Sequence, residues 1–495
     1  MRPKTLAAWA TIFMVTASAR ADSTLPTAVA PGAPSIHALE AAAHAEDPAP
    51  AVPAPDGAAA ILPLQVRPAS PFKEVHGFHP YWMGTSYTAY DWTVLSTVSF
   101  FALELDPNGA ITNAHGWPWT GLVTAAHTHG VRVTVTAQLF GSTGLSTLLA
   151  SAANRQNAIT QLVNAVTAGG ADGICIDFES VPGPRKADLV TFLGNLRASL
   201  QAAVPHAYLT IATPAVDWGN AFDYDQLALR CDHLVVMAYD YHWANSSNTG
   251  PVAPLGAWGP YNVAWTVQDY VTWGTPRDKI LLGVPYYGYR WPASGDAAGA
   301  PVTGTAASLT YTQAAVEAAA HGTLWDAPSS TPWLRYQNPS WLQTWYDDDQ
   351  SLDAKYAHVW TEGLGGISIW ALGYDGTRPE LWTSLRESFG SRVANTGPRD
   401  ATSGIALTPG GPNPFRGTTR VWASAGEATR VSVIVTDAGG RILRQVWHGT
   451  LSAERQPIGW DGRDGRGRAV PAGVYWVVVR AGGATRTLRL VRLGA

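Results

Sequence analysis

Short apolar runs alternate with helix-patterned segments along most of the chain. The runs are EVHGFHPYW (74–82), VLSTVSFFALEL (94–105), VRVTVTAQL (131–139), GICIDFE (173–179), YLTIATPAV (208–216), HLVVMAYDY (233–241), KILLGVPYYGY (279–289) and GGISIWALGYD (365–375). Segments such as NRQNAITQLVNAVTAGG and RKADLVTFLGNLRASLQAA lie between them and read as helices. Strand alternating with helix predicts a parallel sheet. Eight such units predict an α/β fold, a (β/α)8 TIM barrel, which takes about 250 residues and tolerates insertions. We expect it over residues 71–388. The connection before the eighth run holds SLTYTQAAVEAAA and PWLRYQNPSWLQTWYDDD. A connection of that length needs structure of its own. It predicts a small α+β insertion at about 290–345, forming one wall of a groove on the C-terminal face, followed by the helix DQSLDAKYAHVWTEG.

The flanks follow other patterns. Residues 1–21 combine a basic start (MRPK), an apolar stretch too short to span a bilayer (TLAAWATIFMVTA) and a small-x-small site (ARA). They predict a signal peptide and an exported protein, secreted or at the cell surface, with the periplasm a further location. Residues 22–70 are rich in Ala and Pro without sustained period and read as a flexible linker. Residues 389–404 read as a second linker. From 405 to 495, period-two runs with Gly-rich turns (TRVSVIVTDAGG, RILRQVWHG, GVYWVVVRAGG, ATRTLRLVRL) predict an antiparallel β-sandwich.

Composition narrows the partners. The formal net charge of −4 offers no electrostatic case for nucleic acid or an anionic membrane. No later stretch is apolar for long enough to span a membrane. The two cysteines, Cys175 and Cys231, are too few for a disulfide framework or a Cys-rich zinc site and read as buried free thiols. No HExxH or Cys/His ligand spacing occurs, so neither metal nor cofactor is expected. DGRDGRG (461–467) reads as a Gly-rich hairpin turn rather than a calcium loop.

The fourth run carries the candidate chemistry. Residues two apart on a strand share a face, so Cys175, Asp177 and Glu179 point inward while Ile174, Ile176 and Phe178 pack outward. Asp177 and Glu179 come last, at the strand end where barrel enzymes keep their active sites. A single acid there could be a polar cap on the barrel mouth. Two inward acids point to function, because burying unpaired charge is costly. The two lie only about 6.6 Å apart along the strand and approach from one side. Asp177 is therefore badly placed to attack the opposite face of a sugar, whereas a substrate bringing its own 2-acetamido nucleophile removes that difficulty.

DGICIDFE resembles the D-G-x-D-x-D-x-E signature of glycoside hydrolase family 18, the chitinase-like barrels. VVMAYDYHW resembles the sixth-strand element, at Met237, Tyr239 and Asp240. GVPYYGY resembles the seventh-strand element, and GGISIWALGYD the eighth. YDDDQSLDAKY looks like the spore-cortex-lytic and germination branch. The resemblance implies Glu179 as general acid, Asp177 orienting the acetamido group and Tyr239 hydrogen-bonding its carbonyl. It implies that Asp240 supports the acid and the sugar hydroxyls. Trp370 would floor the −1 sugar site, with Tyr287, Met237 and Asp172 as further substrate-binding candidates. Trp82, Trp243 and Trp258 could also be sugar platforms, though core packing is at least an equal reading for each. The family's second Asp is Cys175 here, a weak hydrogen-bond partner in its place. The segments NPFRGTTRV, VTDAGGRILRQV and WDGRDGRGRAVPAGVYWVVVRAGG resemble FlgD-like, immunoglobulin-like modules, which implies contact with secretion or cell-surface machinery. The expected partner is a polysaccharide or oligosaccharide containing N-acetylglucosamine: chitin, chito-oligosaccharides or peptidoglycan strands. The expected reaction is substrate-assisted hydrolysis with retention. A non-catalytic chitinase-like carbohydrate-binding protein of the envelope remains the alternative, since Glu179 is present but Cys175 departs from the family.

Overall fold

Each of the eight apolar runs contributes a parallel barrel strand, and each barrel strand bonds to the next. In the computed structural model, residues 34–47, 62–65, 71, 73–390, 405–437, 441–481 and 484–493 are described. The barrel strands are Glu74–Pro80, Thr97–Leu105, Arg132–Phe140, Gly173–Glu179, Tyr208–Pro214, His233–Met237, Ile280–Pro285 and Gly366–Trp370. The first pairs with both the second and the eighth, so the sheet closes. Two glycines permit close approach of neighbouring backbones. A Cβ on Gly173 would lie 1.9 Å from the Tyr208 carbonyl oxygen, and one on Gly366 1.9 Å from that of Glu74.

The helix pattern holds as well. Helix Ala152–Gly169 starts at Ser151, whose hydroxyl accepts from the Asn154 amide, and stops at Gly170 in the left-handed region. Helix Lys186–Ala203 buries Leu189, Phe192, Leu193, Leu196 and Leu200 as one face. Phe192 stacks on Phe178 at 5.5 Å between ring centroids. The even-numbered residues of the fourth strand thus pack outward, which leaves the odd-numbered acids inside. Lower in the barrel, His76 bridges Ser368 (2.7 Å) and Ser99 (3.0 Å). Burial pushes His76 down to about 4, so it is neutral filling.

Three expectations need correction. The seventh run is not one strand: it ends at Pro285, and Tyr287–Ala293 starts the insertion. The insertion is a five-stranded antiparallel sheet, with Tyr287–Ala293 and Trp341–Trp345 adjacent, covered by helix Tyr311–His321. The sixth strand likewise ends at Met237, which leaves Tyr239 and Asp240 in the following loop. Finally, the stretch 22–70 is not spacer throughout. Ile36–Ala43 is a helix, capped by the Ser35 hydroxyl on the Ala38 amide, with Ile36 and His37 fully buried. The leader expected over 1–21 lies outside the described residues, as does the second linker from 391 on.

The C-terminal strands form two antiparallel sheets around Val421, Val433, Val435, Trp460, Val477 and Leu490. Arg430 pairs with Asp349, and His448 with Asp353 (3.0 Å), which joins this sandwich to the helix Asp349–Glu362. No helix among the described residues is long and apolar enough to cross a membrane.

Helix Asp349–Glu362 opens with a capping box between Asp348 and Ser351. Further along the helix, Lys355 forms a fully buried ion pair with Asp347 at the exit of the insertion. Lys355→Met leaves that carboxylate buried and unpaired. The expected cost is about 3–5 kcal/mol, read as a lowered midpoint in urea unfolding.

Candidate active site

Three strand ends and one insertion strand converge on the barrel mouth. The fourth strand brings Asp177, fully buried, and Glu179, whose side chain keeps 11% exposure. The loop after the sixth strand brings Tyr239 and Asp240, both buried. Asp240 adopts φ 58°, a left-handed backbone that Asp tolerates better than most residues. Alternation along Tyr287–Ala293 puts the hydroxyls of Tyr287 and Tyr289 on one face. Both donate to Asp240 Oδ1, at 2.5 and 3.3 Å. The eighth strand ends in Trp370, wedged against Phe101 (4.8 Å between centroids) and Phe78 (5.5 Å).

The N-terminal helix sits within this ring of groups. His37 stacks on Trp370 at 3.6 Å between centroids. Its Nδ1 lies 2.9 Å from Asp177 Oδ2 and 3.5 Å from Glu179 Oε1, and its Nε2 is 2.8 Å from the Tyr239 hydroxyl. The Ile36 amide donates to Asp240 Oδ2 at 3.2 Å. Glu40 Oε2 accepts from Trp370 Nε1 (2.9 Å) and from the Tyr374 hydroxyl (2.6 Å).

Burial and like charge dominate the electrostatics. Loss of solvent, with Asp177 alongside, pushes Glu179 up to about 8, even though His37 and the Ser35 hydroxyl favour its charged form. Burial, opposed by the hydrogen bonds of Tyr287, the Ile36 amide and Tyr289, leaves Asp240 at about 6. Burial would depress His37, but Asp177, Glu179 and Asp240 together hold it above the ordinary histidine value. Burial raises Glu40 to about 7 against its two hydrogen bonds.

Glu179, Asp177, Tyr239, Asp240, Trp370 and Tyr287 are therefore brought together. Met237 joins Glu179, Tyr239, Asp240 and Trp218 in lining an adjoining cleft of about 320 Å³. Asp172 is not among them. It precedes the strand at its opposite end, about 23 Å from Glu179 at strand rise. There its Oδ2 accepts from the Val133 amide (2.8 Å) and from His127 (2.9 Å), a staple between neighbouring segments. Of the suggested platforms, Trp82 lies at the site, face to face with His44 at 4.6 Å. Trp258 is tied to Asp326 and Trp243 is buried, both as packing. Cys175 is fully buried beneath Asp177, opposite Thr136 and Thr210 in register, and burial holds its thiol neutral.

Sequence reasoning missed His37, Glu40, Tyr289 and Trp218. Tyr289 is the next same-face residue after Tyr287, so its signal was present in GVPYYGY. Trp218, 39% exposed, follows the fifth strand in AVDWGN. Among the described residues, His37, Asp177 and Glu179 are the group whose ligand atoms could surround a metal ion. The direct 2.9 Å contact between His37 and Asp177 accounts for that approach without one.

Comparison with known proteins agrees with this fold. The sequence profile of glycosyl hydrolases family 18 matches residues 95–375, and that of the FlgD Ig-like domain matches 415–484. The chain is 30% identical over 310 residues to the putative sporulation-specific glycosylase YdhD of Bacillus subtilis, covering 59% of this chain and 69% of that one. It is 32% identical over 263 residues to a probable endochitinase of Caenorhabditis elegans, covering 48% of this chain but only 42% of that protein. The fold matches a family 18 chitinase from Cycas revoluta, solved with (GlcNAc)4, at TM-score 0.59 and 18% identity over 64% of this chain and 99% of the other.

The placement of Asp172 is testable. Asp172→Ala strands the Val133 amide, and the expected loss is about 1–3 kcal/mol of stability in denaturant unfolding. Oligosaccharide affinity should not change; a loss of affinity in the folded variant would return Asp172 to the site.

Proposed function

The chain belongs to family 18 of the glycosyl hydrolases, and from that premise we propose that it is an exported hydrolase of β-1,4-linked N-acetylglucosamine polymers acting by substrate-assisted retention. The observation that carries the reading is Glu179. It is a carboxyl group at the C-terminal end of a barrel strand, pushed up to about 8 by burial and by Asp177, and thus protonated at neutral pH. A general acid must hold its proton until the glycosidic oxygen arrives.

The neighbours then take complementary roles. Glu179 donates its proton to the glycosidic oxygen as the C1–O bond breaks. The carbonyl oxygen of the sugar's own acetamido group attacks C1 from the other face and closes an oxazolinium ring. Asp177 accepts a hydrogen bond from the acetamido N–H, and the Tyr239 hydroxyl donates to the acetamido carbonyl. Asp240, held by Tyr287 and Tyr289, accepts from sugar hydroxyls. Trp370 supports the ring, and the cleft beside Glu179 receives the leaving sugar. The glutamate, now a carboxylate, takes a proton from water as it opens the oxazolinium. Two inversions at C1 give net retention.

Likeness to a sporulation-specific glycosylase favours peptidoglycan strands, and likeness to a probable endochitinase favours chitin. The basic and apolar start of the chain supports export, and the FlgD-like domain supports sorting or attachment. Cys175 favours one other reading, a carbohydrate-binding protein without turnover, because a neutral thiol relays no charge to Asp177.

Product analysis on chitohexaose and on purified peptidoglycan decides between these readings. Glu179→Gln should lower turnover by about 10²–10⁴-fold while leaving oligosaccharide affinity nearly unchanged. Equal turnover in that variant would remove Glu179 from the chemistry. For the unsubstituted enzyme, turnover should fall as pH rises through the range where Glu179 loses its proton, a range lifted above that of an ordinary carboxyl by burial and by Asp177. A rate that climbs through that range would assign the acid elsewhere.

A further inference from the structure

The helix Ile36–Ala43 and the turn after it occupy the same atoms that the proposed mechanism gives to the sugar. His37 takes the face of Trp370, one oxygen of Asp177 and the hydroxyl of Tyr239. The Ile36 amide takes Asp240 Oδ2. Glu40 takes the indole N–H of Trp370 and the hydroxyl of Tyr374. Seven residues after His37, about two helical turns along, His44 covers the face of Trp82, with 10° between ring planes. The His44 carbonyl also accepts from the Tyr81 hydroxyl at 2.6 Å.

These contacts have the chemistry of a bound saccharide. Two flat rings lie on two indole faces, as sugar faces would. An N–H donor meets Asp177, as an acetamido N–H would. Trp370 and Asp177 are completely buried with the helix in place, so no sugar can reach them without displacing it.

We propose that residues 34–47 are a built-in plug that keeps the sugar-binding site closed until the segment is displaced or removed. The proposal rests on the reading of the site as a saccharide site. It requires that saccharide and segment exclude one another, so apparent affinity is reduced by the fraction of molecules with the plug docked. The segment precedes the barrel, and the described barrel strands are complete without it. Its departure therefore opens the site without removing any strand. A leader cleaved after Ala21 would leave the segment attached, so opening needs a further event, either cleavage between the segment and the barrel or competition by a long glycan.

The test uses the full chain and its His37→Ala/Glu40→Ala variant. Binding of (GlcNAc)4 is measured by calorimetry, and turnover of chitohexaose by mass spectrometry. Loss of the imidazole and of the carboxylate should tighten (GlcNAc)4 binding about tenfold or more, with turnover at low substrate rising in step. A synthetic peptide of residues 34–47, added to the variant, should restore inhibition, whereas the same peptide with His37→Ala should not. Equal (GlcNAc)4 affinity in the two full-length forms, or no binding by either, would overturn the plug. Tighter binding by the variant with no turnover would support the plug and overturn the hydrolase reading, so the two failures are distinct.

Discussion

Asp177 and Glu179 are carboxyl groups two residues apart on one strand, aimed into a mouth that excludes most water. Two ionised groups cannot share that space without compensation. The surrounding residues answer that constraint. Glu179 keeps its proton; Tyr239 and Asp240 come from a loop whose backbone turns through the left-handed region to present them. Asp240 is itself a third buried carboxyl and is satisfied by two tyrosines of the insertion. One oxygen of Asp177 and one of Glu179 find no hydrogen-bond partner among the described residues. Such orphaned acceptors suit a site that completes its bonding with a ligand rather than with its own chain.

The insertion is accordingly more than a wall. It begins two residues after the seventh barrel strand ends, and its first strand alternates Tyr287, Tyr289 and Trp291 on one face. A strand with period two delivers two hydroxyls to one carboxylate at no cost in loop ordering. Its adjacent strand, Trp341–Trp345, runs back to the Lys355–Asp347 pair, which fixes where the sheet rejoins the barrel. The geometry around Asp240 therefore depends on the buried ion pair at the far end of the insertion as well as on the barrel.

Periodicity made the barrel legible. Alternation in GICIDFE placed Asp177 and Glu179 inside, and the eight runs appear as eight strands. It failed where an apolar run spans a break: GVPYYGY looks continuous, yet its last residues belong to another sheet. Asp172 entered through the family resemblance, and periodicity would have set it apart from the acids. The strand separates the two ends, and the even position of Asp172 turns it away from the acids. The N-terminal helix was hidden for a different reason. SIHALEAAA has a capping serine and good helix formers, but it is embedded in Ala- and Pro-rich sequence and its helix is only eight residues long. No composition argument distinguishes it from the linker around it.

That shortness bears on how the segment behaves. Isolated helices below about 12–15 residues are marginal in water even when Ala-rich. The order of Ile36–Ala43 is thus supplied by what it touches, through Ile36, His37, Glu40 and His44, rather than by its own propensity. A helix of this kind docks and orders in one step, and it loses its fold when its contacts are taken. The entropy recovered on release offsets part of the contact energy lost, so a segment bound through charged, buried groups can still be exchangeable. Burial works against a proton on His37, yet Asp177, Glu179 and Asp240 raise it above the ordinary histidine value; Glu179 is raised first by burial and then by Asp177, and His37 opposes that shift. Asp177 acts on both groups, as the neighbour that helps keep the proton on Glu179 and as the direct partner of the imidazole, so the catalytic arrangement and its cover depend on one cluster of carboxyl groups.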